Sequence, residues 1–390
     1  MAESKTTILN MGPHHPATHG VLRLVLELDG ETIVKATPHI GHLHRGIEKI
    51  AENKNYHQII PLTDRLDYTA ASLNNLGYCM TVEKLIGVEV PKKAQYIRVI
   101  MSELARIMGH HLWLGSHALD IGAMTLIFYT FRDREMIMNI NEELSGYRLT
   151  PSFLRFGGLA KDITPDFIKY VRDFVKWFPK AVDGYNSLLT DNIIWRKRTM
   201  GIGTISAEEA LNYGMTGPSL RGSGIGYDIR KVLPYCSYDD FDFVVPIGDK
   251  GDVYDRYLVR MEEFKQSLHI IDQAIENLPE GPVKSDNPWV SNPEINEVSE
   301  DISALIRRFK IQSEGAKAPV GEVYHSVEGS KGELGFYLVG DGTAQPFRMK
   351  IRPPCFMLTS ALPRLLEGHM LSDAISIIGS IDIVLGEIDR

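Results

Sequence analysis

The sequence predicts an α+β fold, mainly helical, and three observations lead to that reading. A strand-like alternating run occupies residues 21–36, apolar stripes of helical period run through 94–146, and strand pairs follow near 319–326 and 332–352. Together they imply a small N-terminal β-sheet, a central bundle of long helices and a C-terminal α+β segment. The expected division is 1–65, 66–285 and 286–390, the last packing back on the core. A breaker-rich stretch around 280–297 is the best linker candidate.

Each element has a local reason. In VLRLVLELDGETIVKA, Val21, Arg23, Val25 and Glu27 face one way, while Leu22, Leu24, Leu26 and Leu28 face the other. Asp29-Gly30 supplies the turn of this hairpin. The preceding TTILNMG reads as a third short strand, and the pattern turns helical near Ile47. Ile97, Ile100, Met101, Leu104, Ile107 and Met108 fit one helical stripe. A helix follows Thr164, the expected N-cap, with Pro165 at its first position. Ser206 and Glu209 have capping-box spacing, with Gly214 as a stop. An amphipathic helix starts at Tyr254, another spans 298–310, and a small-residue apolar segment lies near 370–384.

Composition excludes several classes. A chain of 390 residues that is 44% hydrophobic and 24% charged can bury a large core and is not disordered. The net charge of -8 argues against a nucleic-acid binder, which would show a basic excess. The three cysteines, Cys79, Cys236 and Cys355, lie far apart, so the chain offers neither a disulfide framework nor a cysteine-ligated cluster. This points to a reducing compartment. MAESKTTILN lacks the apolar run of a signal peptide. The stretch from Arg106 to Arg132 is long enough to span a bilayer, but His110, His111, Ser116, His117 and Asp120 interrupt it. A buried helix pair in a protein soluble by itself is the expectation.

Ten of the thirteen histidines precede residue 118, three of them in MGPHHPATHG. Zinc would need several converging, commonly in HExxH spacing, which is absent. His14 and His15 read as loop-shaping residues beside Pro13 and Pro16. GSGIG at 222–226 lacks the Rossmann spacing and a Walker lysine, so it reads as a flexible turn. HRGIEKI (44–50) and TDRLDY (63–68) differ: arginines, carboxylates and a tyrosine gather without a nucleophile. Such a set suits either proton and charge management or structural ion pairing.

NMGPHHPATHGVLRL, PHIGHLHRGIEKI, DRLDY, RVIMSELARIMGHHLWLGSHALDIGA, RGSGIGYDIRK, GDVYDRYLVR and GEIDR occur in this order. Over nearly the whole chain they resemble the quinone-site subunit of respiratory complex I (NADH-quinone oxidoreductase), the 49-kDa subunit family. That family is similar to the large subunit of nickel–iron hydrogenases, which implies a hydrogenase-like fold. Where hydrogenases carry Cys, Gly and Cys after an arginine, this chain has Asp67, Tyr68 and Ala70. Where they carry two further cysteines and a histidine, it has Val384, Glu387 and Arg390. Nickel requires soft thiolates, so a hydrogenase reading fails.

The resemblance implies a cavity emptied of metal that accepts a quinone head group. His19 and Tyr68 would hydrogen-bond its two oxygens, and Asp120 would partner the histidine. Imidazole and phenol suit a reaction that takes up two electrons and two protons. Ser116 and Val384 match positions lining the cavity, and Arg45 matches an arginine near the last [4Fe–4S] cluster. That cluster belongs to a neighbouring small subunit; this chain binds no metal or cofactor, and quinone is its substrate. The implied partners are that small subunit, a 30-kDa-type subunit, a ferredoxin-like subunit and a quinone-channel membrane subunit. The implied place is peripheral, on the cytoplasmic side of a bacterial cell membrane. Thr150 stands where mitochondrial relatives carry a histidine linked to a pH-dependent cluster potential, so that coupling is expected to be missing. Two alternatives remain: the same component in a complex fed by ferredoxin or a deazaflavin, and a non-redox scaffold with a relic cavity.

Overall fold

Alternating leucines build the first sheet. A computed structural model describes residues 6–15 and 20–390. In it Leu22, Leu24, Leu26 and Leu28 are all buried, and burying each stabilises the fold by about 1.5–3 kcal/mol. Strand β2 (Arg23–Asp29) is the middle of three antiparallel strands, between β1 (Thr7–Met11) and β3 (Thr32–His39). The third strand is therefore where TTILNMG places it. The turn is displaced by one residue from Asp29-Gly30: Asp29 pairs with Thr32, leaving Gly30 and Glu31 at the tip. Gly30 supplies the left-handed φ of 62°.

Two short helices follow, α1 (Ile47–Ala51) and α2 (Tyr56–Thr63), the second closed by an Asn55/Gln58 capping box. Helix α3 (Ala71–Ile86) is buried along most of its length. The stretch long enough to span a bilayer forms a helix pair, α4 (Lys92–Ile121) and α5 (Thr125–Ser145). Gly122 breaks it, with φ of 103° and its N–H donating back to Ala118 and Leu119. No helix among the described residues is long and apolar enough to cross a membrane. Two-residue strands β4 (Leu154–Arg155) and β5 (Gly158–Leu159) pair before α6 (Pro165–Leu189). Thr164 caps α6 by accepting from Phe167 N–H at 3.1 Å. The buried stripe of α6 includes Phe167, Val171, Phe174 and Phe178 and packs against α5.

Four short helices come next: α7 (Ile193–Thr199), α8 (Ala207–Asn212), α9 (Gly217–Arg221) and α10 (Ile229–Val232). The capping box expected at Ser206 and Glu209 starts α8. Helix α11 (Val253–Glu276) then packs against both α4 and α6. The single helix expected at 298–310 is instead two, α12 (Ile295–Glu300) and α13 (Ile302–Ser313). Asp301 divides them: it takes an extended backbone, and its carboxylate accepts from Ser303 N–H at 2.8 Å.

A second antiparallel sheet, β6 (Gly321–Gly329), β7 (Gly332–Gly340) and β8 (Pro346–Arg352), packs on α3 through its first two strands. The chain closes with α14 (Pro354–Leu366), α15 (Leu371–Ile381) and α16 (Leu385–Asp389). Two large apolar clusters result, besides a small one of Ala70, Leu73 and Ala105. The larger joins α3–α6, α11 and the second sheet; the other joins the leucine face of the first sheet to α14–α16. The seam between these clusters is where the buried charges described next collect.

Candidate functional site

The β6–β7 hairpin ends in a two-residue loop, Ser330–Lys331, between the paired residues Gly329 and Gly332. Such a tip normally presents lysine to water, yet Lys331 is 1% exposed. A missing side chain lets the tip in: a Cβ on Gly217 of α9 would overlap Gly332 at 2.4 Å. Arg106 of α4, itself buried, donates to the carbonyls of Gly329 and Glu328 at 2.8 Å each.

The Lys331 ammonium donates to Asp67 Oδ2, Thr69 Oγ1 and Ser330 Oγ, each at 3.0 Å, and lies 3.4 Å from Asp382 Oδ2. Burial opposes its charge, but Asp382 and Asp67 outweigh that and raise its pKa. Asp67 is equally enclosed. Burial pushes its carboxyl up, and Lys331 together with the Thr69 hydroxyl and N–H brings it below the ordinary value. The pair therefore stays ionised.

Tyr68 follows Asp67 in the chain and feels the charges of both members of this pair. It is 37% exposed, and its hydroxyl makes no hydrogen bond among the described residues. Burial first, then the Asp67 charge, push its phenol up, so it is a protonated donor at neutral pH. The ring lies against Gly386: a Cβ there would be 3.2 Å from Tyr68 Cε1 and 2.8 Å from Leu66 O. Glycine at 386 is thus what lets the segment around α16 close over the Arg65–Tyr68 turn.

The loop before α1 is stapled to the same segment. Arg45 Nη2 donates to Gly386 O at 2.7 Å, and its N–H donates to Arg390 O at 3.0 Å. The Asp389 carboxylate accepts from Gly41 N–H at 2.8 Å and Leu43 N–H at 2.7 Å. Val384, buried, donates its N–H to Cys355 Sγ at 3.4 Å. Glu387 accepts from Cys355 N–H at 3.2 Å. Burial, then the Asp67 charge, push the Glu387 carboxyl up to about 7.

The structure thus gathers Arg45, Tyr68 and Val384 around one short segment. Ser116 and Asp120 stand one turn apart on the end of α4 that packs against α15, whose C-cap is Asp382. The Ser116 hydroxyl turns back to its own helix, within 2.8 Å of Leu112 O and 3.1 Å of Trp113 O. His19 lies outside the described residues. Thr150, half-buried, leads into Ser152, whose hydroxyl bonds Asp64. Sequence reasoning missed Lys331 and Asp382: GSKG between two strands reads as an exposed turn, and no local signal marks its lysine as buried.

The chain matches the family described as respiratory-chain NADH dehydrogenase, 49 kDa subunit, over residues 120–390. It is 55% identical over 390 residues to an NADH-quinone oxidoreductase subunit of Geotalea uraniireducens, and 54% identical to the same-named protein of Geobacter sulfurreducens. The namesake of Methylobacillus flagellatus is 50% identical. Each of these alignments covers 100% of both chains. The chain belongs to the 49-kDa subunit family of complex I. As a member it is a component of an oxidoreductase complex. The part matched to the 49-kDa family includes Asp120, Lys331, Asp382, Val384 and Glu387, while Arg45 and Tyr68 fall in the stretch that the full-length relatives add.

Proposed function

We propose that the chain forms the quinone-reduction site of a proton-translocating NADH:quinone oxidoreductase, beside the terminal [4Fe–4S] cluster of a neighbouring small subunit. One observation supports this above the others: a phenol held protonated beside a buried charge pair, partly exposed, with its hydroxyl unengaged among the described residues. Quinone reduction takes two electrons and two protons, so its site needs hydrogen-bond donors at the quinone oxygens rather than a nucleophile. Tyr68 donates to one oxygen and His19 to the other, with Asp120 partnering His19. Ser116 and Val384 line the cavity.

Arg45 faces the neighbour's cluster, where a fixed cation favours the reduced form. The cluster ligands in this reading come from the small subunit, since the three cysteines of this chain are too far apart in sequence to form a cluster-binding motif. Further neighbours are the 30-kDa-type subunit, the ferredoxin-like subunit and the quinone-channel membrane subunit, with the whole peripheral on the cytoplasmic side.

Tyr68→Phe in the intact complex tests this. Losing one donor at a reacting oxygen is expected to lower quinone reductase turnover about tenfold or more, while NADH oxidation by ferricyanide, which bypasses the quinone, stays unchanged. Wild-type quinone turnover would overturn the reading and favour a scaffold.

A further inference from the structure

We infer that Lys331 is a positioning residue for this reaction: its ammonium, fixed between Asp67 and Asp382, ties the Tyr68 turn to the segment entering α16 and so aims the phenol. The inference rests on the quinone-site reading above. Three features of the fold support it.

The first is the completeness of the lysine's coordination. An ammonium has three donors, and all three end on oxygens of Asp67, Thr69 and Ser330 at 3.0 Å, with Asp382 alongside. A lysine enclosed without such partners would lose its proton or cost several kcal/mol. The second is the fold's accommodation of it. Gly217 is the close approach that admits the hairpin tip, and Arg106 clamps the carbonyls behind it. Nothing about a surface turn requires these. The third is connectivity. Asp67 precedes Tyr68 directly, and Asp382 is the C-cap of α15, four residues before the glycine against which the Tyr68 ring lies. One ammonium therefore spans the two segments that define the phenol's position.

The cluster's charge also constrains what happens when the lysine is removed. Asp67 and Tyr68 face it from the α2–α3 turn, Asp382 and Glu387 from the last segment, Cys355 from α14, and Arg45 from the loop before α1. Arg260 of α11 faces Asp382 from the other side. Without Lys331, the buried Asp67 carboxylate loses its cation, and burial then favours its protonated form. That proton is released as pH rises, so turnover acquires a pH dependence that the lysine suppresses.

The test compares Lys331→Met with Lys331→Arg in the intact membrane complex, reading quinone turnover, quinone KM and the pH profile, with ferricyanide reduction as the assembly control. Lys331→Met is expected to lose about tenfold or more of kcat at pH 8 and to regain part of it toward pH 6, with KM within about threefold. Lys331→Arg, which keeps the cation, is expected to retain about a third or more of turnover and the wild-type profile. Wild-type kcat and profile in Lys331→Met would overturn the inference. So would equal losses in both variants with no change of profile, since that is the signature of a steric fit alone. Should Lys331→Met fail to assemble, Asp67→Asn/Lys331→Met replaces it. Low turnover at every pH is expected there, and wild-type turnover would overturn the inference. If Tyr68→Phe retains full activity, the quinone-site reading itself fails; if Tyr68→Phe is impaired and Lys331→Met is not, only the role of Lys331 fails.

Discussion

Two buried glutamates, equally dry, end in opposite states. Glu103 of α4 is 0% exposed and Glu387 of α16 is 2% exposed. Burial pushes both carboxyls up, yet Arg106 and Arg230 hold Glu103 at about 2, whereas Glu387 stands at about 7. The difference lies in their partners. Glu103 accepts from Arg106, Arg230, Tyr238 and Ser267 at 2.6–3.2 Å. It belongs to a network in which Arg221 reaches Glu263 at 2.5 Å and Glu328 at 2.8 Å, while Arg230 grips Asp228 at 2.7 Å. Glu387 has a backbone N–H from Cys355, and the nearby ammonium of Lys331 is committed to Asp67 and Asp382.

One region meets its carboxylates with arginines, and the other leaves Glu387 without a cation of its own. The arginines fix α4, α9, α10, α11 and β6 against one another and hold Glu103 and Glu263 ionised, although burial and the Asp228 charge push the Glu328 carboxyl up. The second region keeps a group poised near pH 7 and a phenol whose hydroxyl is unengaged among the described residues, features that suit the proposed proton-handling role.

The largest effect should come from breaking the arginine network. Arg221→Met strands Glu263 and Glu328 in the core and is expected to destabilise the chain by about 3–5 kcal/mol, read from denaturant unfolding. A loss below about 1 kcal/mol would mean that the network is not the scaffold described. A smaller, pH-dependent effect belongs to the other region. Folded Glu387 binds its proton more tightly than the unfolded chain, whose carboxyl has its ordinary value of 4.5. The stability it contributes is therefore complete below that value and is lost as pH climbs through about 7. Glu387→Gln removes the loss. Relative to wild type the variant should gain about 3 kcal/mol between pH 4.5 and 8. A pH-independent difference between the two would show that Glu387 is already ionised.

What was legible in the sequence follows the same divide. Elements set by local chemistry could be read directly: the leucines of β2, the Thr164 cap with Pro165 behind it, and the Ser206/Glu209 box. The shift of the first turn and the break at Asp301 each hinged on a single residue's backbone preference. The candidate site was legible only in part. Arg45, Tyr68 and Val384 came from resemblance, and the structure brings them together. Lys331 was invisible because its partners lie far off in the chain, and a two-residue loop gives no sign of what surrounds it. The same holds for the arginine network, whose pairs join α4 to α10 and α9 to α11 and β6.

The central claim is that quinone sits over the Tyr68–Lys331 cluster. A photoactivatable quinone analogue, crosslinked in the intact complex and mapped by peptide mass spectrometry, tests it most directly. The account predicts labelling in the 65–70 and 382–388 segments that disappears when excess quinone competes. Labelling confined to other parts of the chain, or to neighbouring subunits alone, would contradict it.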